Sequence, residues 1–120
     1  MSYPHIDLDL WLDKSIVDRQ KHLKAQWIEI LEEIGNSISN DELSLTHPSS
    51  RGKKISKGND LLGYPYLVLD LIRDFNPEIG MNIRVLNWFG HGLYILVFVG
   101  KETTISSDGL LANGFEFGLT

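Results

Sequence analysis

Three residues in the second half of the chain have side chains suited to chemistry: Asp70 in "VLDLI", Arg84 in "NIRVL" and His91 in "FGHGL". Asp70 sits inside an apolar run, where a strand carries its carboxylate into or beside hydrocarbon, and an unpaired charge there is costly. Arg73 and Arg84 are its natural partners. The arrangement is then either a buried or half-buried ion pair that fixes strand register or a carboxylate of altered acidity in a pocket. His91, between two glycines, has exposure on a turn but no neighbour to hold its tautomer, which a general base needs. It reads equally as the tip of a hairpin whose glycines serve the backbone. Asp70, Arg84 and His91 brought to one pocket would suit a small-molecule binder or an enzyme; sequence alone does not bring them together.

Other chemistry finds little footing. There is no cysteine, which removes disulfides, thiolate metal sites and thiol nucleophiles and fits a cytoplasmic protein. His5, His22 and His47 fall in separate segments with no His-x-x-x-His spacing, so no metal is expected. Nucleophile-elbow, phosphate-loop and zinc-protease motifs are absent, and no cofactor is expected. "RGKKISK" gathers Arg51, Lys53, Lys54 and Lys57 into a stretch that could hold an anion, although a solvated loop is the commoner meaning. With a net charge of −5, nucleic acid is not an expected partner, because affinity for phosphates comes largely from basic charge.

The elements that must position these groups belong to one domain. At 120 residues, 42% apolar and 22% charged, the composition is that of an ordinary soluble globule. The N-terminal stretch lacks the basic region of a secretory signal, and no apolar run approaches the ~20 residues that span a bilayer. Residues 1–38 read as helical. Ser15 followed by Asp18 resembles a capping box, and Gly35-Asn36 supplies a stop. Ile16, Leu23, Trp27, Ile30, Leu31 and Ile34 recur at helical spacing. Lys21 and Lys24 come early and Glu29, Glu32 and Glu33 late, an order that opposes the helix dipole unless a cation elsewhere compensates. Ile6 to Leu12 is compatible with a short strand or a helical turn from Asp7, with Leu8, Trp11 and Leu12 continuing the apolar stripe in the latter case. Residues 39–60 are polar and read as a loop or a loose hairpin in which Leu43 and Leu45 alternate.

Residues 61–120 read mainly as antiparallel strands. Tyr66 to Leu71 suits a buried strand. "MNIRVLNWF", "GHG" and "LYILVFVGK" form a hairpin, and Asn113-Gly114 signals a further turn before "FEFGL". With Gly90, His91 and Gly92 as the turn, Phe89 faces Leu93. One face then holds Ile83, Val85, Asn87 and Phe89 with Leu93, Ile95, Val97 and Val99. The other holds Arg84, Leu86 and Trp88 with Tyr94, Leu96 and Phe98. Trp88–Tyr94 and Arg84–Phe98 become direct neighbours. A sheet with one wet face alternates apolar and polar residues, and this ribbon does not. Both faces need cover, and one amphipathic helix serves only one. Leu86, Trp88, Tyr94, Leu96 and Phe98 are therefore the expected interface, with a second copy or another protein as partner and no membrane.

"GYPYLVLDLIRDF" followed by "IRVLNWFGHGLYILVFVGK" resembles a small bacterial protein family with no assigned activity, over roughly residues 63–101. Its members look like a helical N-terminus followed by a Leu-Asp segment, an aromatic-Gly turn and an apolar strand. They commonly carry asparagine after the aromatic-Gly pair and proline before the arginine, where this chain has His91 and Ile72. The resemblance implies a fold and no reaction. The expected fold is α+β, an N-terminal amphipathic helix packed on an antiparallel sheet of four to six strands.

Overall fold

The computed structural model describes residues 5–102, and the turn and strand expected beyond them, Asn113-Gly114 and "FEFGL", lie outside the described residues. Three helices, α1 (Leu8–Trp11), α2 (Lys14–Ser37) and α3 (Asn40–Thr46), precede four strands: β1 (Lys54–Leu61), β2 (Tyr64–Asp74), β3 (Met81–Trp88) and β4 (Gly92–Val99). The strands form one antiparallel sheet in chain order, with α2 packed on it. The chain is thus α+β.

α2 begins two residues earlier than the Ser15 box implies. Asp13 is the N-cap, its carboxylate accepting from the Ile16 amide at 3.2 Å. It also runs through Gly35 to Ser37 rather than stopping there. Gly35 is buried, and a Cβ there would touch the Leu69 side chain. That is ordinary contact distance, so the packing of α2 on the sheet, rather than any need for a missing side chain, carries the helix past glycine's tendency to end it. The cation that the helix charges lack is Lys53. Its Nζ donates to the carbonyls of Gly35 at 2.6 Å and Ile38 at 2.7 Å, which places a positive charge at the negative end of the dipole.

Residues 39–60 hold α3, a connecting loop at 47–53 and the first part of β1, rather than one loop or loose hairpin. Ser39 caps α3 by accepting from the Glu42 amide, a Ser-x-x-Glu start, so Leu43 points from a helix onto the core while Leu45 is exposed. After residues 47–53, β1 begins at Lys54. The segment before α2 is the helical turn α1, capped by Asp7, yet it buries nothing. Leu8, Trp11 and Leu12 are exposed, Trp11 to 71%, and do not continue a packed stripe.

The core lies between the C-terminal half of α2 and one sheet face. Leu31 is fully buried against a cluster of Leu67, Leu69, Leu71 and Val85, with Trp27, Ile28, Ile34, Ile38 and Ile55 around it. A β-bulge between Asp70 and Ile72 inserts Leu71 into this layer. No side chain from Lys14 to Gln26 is buried, so about 20 Å of helix stands off the core. The radius of gyration, 18.5 Å, reflects that arm; a compact chain of this size measures about 13–14 Å. No helix among the described residues is long and apolar enough to cross a membrane.

Candidate functional face

The hairpin forms, with its partners two residues from the expected ones. Trp88 faces Gly92 and Val85 faces Ile95, leaving Phe89, Gly90 and His91 as the loop. Gly90 and Gly92 both take positive φ, 84° and 113°, conformations that glycine adopts without strain. A shift of two leaves each residue on its expected face. It does change neighbours. Trp88 and Tyr94 become diagonal, with ring centroids 6.3 Å apart, and Arg84 faces Leu96 rather than Phe98.

Register places Tyr66, Val68 and Asp70 of β2, Arg84, Leu86 and Trp88 of β3, and Tyr94, Leu96 and Phe98 of β4 on the face turned away from α2. Leu86, Trp88 and Leu96 are half-buried, while Tyr94 is 43% and Phe98 37% exposed. α2 and α3 pack on the opposite face and α1 buries no residue, so no described helix covers this one. On β1 the face narrows to Gly58, where the Tyr66 ring lies in the space a Cβ would need. The aromatic ring thereby shields a glycine backbone that has no side chain of its own to pack.

Asp70 and Arg84 are cross-strand partners, and the Arg84 Nε donates to the Asp70 Oδ1 at 2.5 Å. The carboxylate is 4% exposed and the guanidinium side chain 35%, so the pair crosses from the sheet interior to its surface. Arg73, the other candidate, instead donates from its Nε to the Gly52 carbonyl at 2.8 Å and bonds that loop to β2. His91 is not part of this pair. Its ring stacks on Trp88, centroids 3.7 Å apart, and meets Tyr64 edge-on at 4.6 Å. Trp88 lies four residues along β3 from Arg84, about 13 Å of strand. Among the described residues no hydrogen bond or ring contact joins His91 to Asp70 or Arg84. Among the described residues no carboxylate hydrogen-bonds to His91. What the face offers is an aromatic surface, Tyr64, Tyr66, Trp88, His91 and Tyr94, beside a satisfied ion pair.

The basic stretch is divided by the fold. Lys53 is bound at the end of α2, Lys54 lies beside Asp70 on the outer face, Lys57 points under α2, and Arg51 precedes the sheet, its amide donating to the Arg73 carbonyl. Arg51, Lys53, Lys54 and Lys57 therefore form no single anion site. The contribution of Tyr64 and Tyr66 was not drawn from sequence; the aromatic-Pro-aromatic triplet beginning β2 is the signal that marks them.

A hydrogen-bonded histidine–aspartate pair closes the core end. His47, at the end of α3, and Asp74, at the end of β2, approach to 2.7 Å. The His47 hydrogen bond holds the Asp74 carboxyl below its ordinary 3.8, aided by the Asn76 amide and opposed by partial burial. A depressed folded-state value means that this contribution is complete above the unfolded value and is lost as pH falls through the folded one. Acid titration of stability followed by circular dichroism is expected to show a shallower loss below pH ~4 in Asp74→Asn than in wild type. Parallel acid limbs in the two proteins would remove Asp74 from that role.

Comparison with protein-family models, curated proteins and solved structures finds no match to this chain.

Proposed function

We propose that this chain is a non-catalytic self-associating module, and that a second copy covers the face formed by Leu86, Trp88, Tyr94, Leu96 and Phe98. The observation that carries this reading is a sheet whose central ribbon is apolar on both sides and whose second side, on which Val68 and Asp70 are buried but Tyr94 and Phe98 are exposed, has no described helix over it. Contiguous aromatic and aliphatic surface of this kind, without a helix over it, is characteristic of association sites. Tyr and Trp are also the residues that dominate interface centres. The N-terminal arm adds further support. Leu8, Leu10, Trp11, Leu12 and Val17 are exposed on a helical segment that makes no core of its own, and oligomerisation is the ordinary means of burying such a segment. The absence of cysteine supports a cytoplasmic setting.

Trp88→Asp places a charge at the centre of the face and is expected to dissociate the assembly in sedimentation velocity at micromolar concentration. Trp88 also donates to the Leu61 carbonyl at 3.0 Å, so Tyr94→Asp, at a more exposed position, is the companion that separates dissociation from unfolding. Unchanged sedimentation of folded Tyr94→Asp and Trp88→Asp would contradict the proposal.

A further inference from the structure

The groove between the first half of α2 and the end of β1 has a donor-rich lining. It encloses about 430 Å³ and is walled by Lys21 and Lys24 from the helix and Lys57 from the strand, over Ala25, Ile28 and Leu67. That volume is within the ~300–1,000 Å³ of small-molecule sites. No acidic residue is among its described lining residues, although the chain has 16 acidic and 11 basic residues. None of the three lysines takes part in an ion pair among the described residues. Lys21 and Lys24 are three apart on the helix, hence neighbours on its surface, and Lys57 faces them from β1. Like charges gathered without a counter-charge repel, and an anion between them reverses the sign of that interaction.

A separate observation comes from the sheet below. Lys57, Leu67 and Asn87 are consecutive cross-strand partners on the face under α2. Asn87 is 4% exposed, and its Nδ2 is buried without a hydrogen-bond partner. A buried amide donor left unpaired in an apolar layer is costly, and native structures hold few of them. At a strand spacing of about 4.8 Å, Asn87 lies within about 10 Å of Lys57, one strand beyond the leucine that floors the groove. Three lysines thus line the groove, and the unpaired Asn87 N–H lies one strand beyond its Leu67 floor.

We infer that this groove binds a small anion with an apolar body, a carboxylate or phosphate monoester on a short hydrocarbon chain. The anionic head lies among Lys21, Lys24 and Lys57, and the chain lies along Ala25, Ile28 and Leu67. The groove lies on the α2 side of the sheet, opposite the association face, so this inference stands independently of self-association.

Isothermal titration calorimetry of the full chain with octanoate, octyl phosphate, inorganic phosphate and 1-octanol tests it. Octanoate or octyl phosphate is expected to bind at least tenfold more tightly than phosphate and 1-octanol, and more weakly as salt is raised. Lys24→Gln/Lys57→Gln, two exposed side chains, is expected to weaken that binding at least tenfold with an unchanged circular dichroism spectrum. Asn87→Leu, close in shape, is expected to raise the melting temperature. No binding by either amphiphile, equal binding of 1-octanol, or full affinity in the double lysine variant would overturn the inference.

Discussion

Arg84→Met is expected to destabilise the fold by about 2–3 kcal/mol, and a second substitution, Asp70→Leu, to restore most of that loss. The single variant leaves the Asp70 carboxylate, 4% exposed, without the guanidinium that bonds it at 2.5 Å. Breaking a fully buried pair from one side costs about 3–5 kcal/mol, because an uncompensated charge remains. The expected value is lower here because Arg84 is a third exposed and Lys54 faces Asp70 from the neighbouring strand. Replacing both partners by apolar residues removes the desolvation penalty along with the attraction, so the double variant is expected within about 1 kcal/mol of wild type. A double-mutant cycle by urea denaturation measures the coupling. Additive losses would show that the two side chains do not depend on each other, and the register-fixing role would fall with them.

Leu31→Ala is the second large effect, about 3–4 kcal/mol. Leu31 is fully buried and is the α2 side chain at the centre of the cluster with Leu67, Leu69, Leu71 and Val85. Removing its isobutyl tip loses transfer free energy and leaves a cavity, and comparable truncations cost about 2–5 kcal/mol. The α2 side chains packed on this core, Trp27, Ile28, Leu31 and Ile34, come from the second half of the helix, so few other residues can compensate. Leu23→Ala on the stand-off arm is the control. Its side chain is already 43% exposed, and a loss below about 1 kcal/mol is expected in the separated chain. Equal losses at Leu31 and Leu23 would mean that α2 is anchored along its whole length.

The two-sided ribbon was legible because unbroken apolar residues from Leu93 to Val99 leave no polar alternation to assign a wet face. Its register was not. The sequence "WFGHGL" suggests Gly90-His91-Gly92 as the turn, and only the backbone shows that Gly92 pairs with Trp88 while Phe89 joins the loop. The faces survived this difference because side chains repeat every two residues and the shift was two. Asp70 announced an ion pair by its apolar neighbours, whereas the choice of Arg84 over Arg73 rests on the cross-strand register that sets Arg84 directly opposite Asp70, which no local pattern marks. α3 was legible in principle. Ser39 and Glu42 form a capping pair, but the alternating Leu43 and Leu45 suggested strand periodicity in a segment too short to decide. The basic stretch misled for another reason: consecutive lysines on a strand point to opposite faces, so sequence proximity separates Lys54 from Lys57 in space. The company Lys57 keeps, Lys21 and Lys24, comes from a helix more than thirty residues away, and only packing reveals it.

Everything functional turns on whether the aromatic side of the sheet stays wet. Multi-angle light scattering of the wild-type chain across micromolar concentrations addresses that directly. A mass of at least twice the 13.6 kDa of one chain, falling toward one chain on dilution or in Trp88→Asp, is the predicted result. A single-chain mass at every concentration would contradict it.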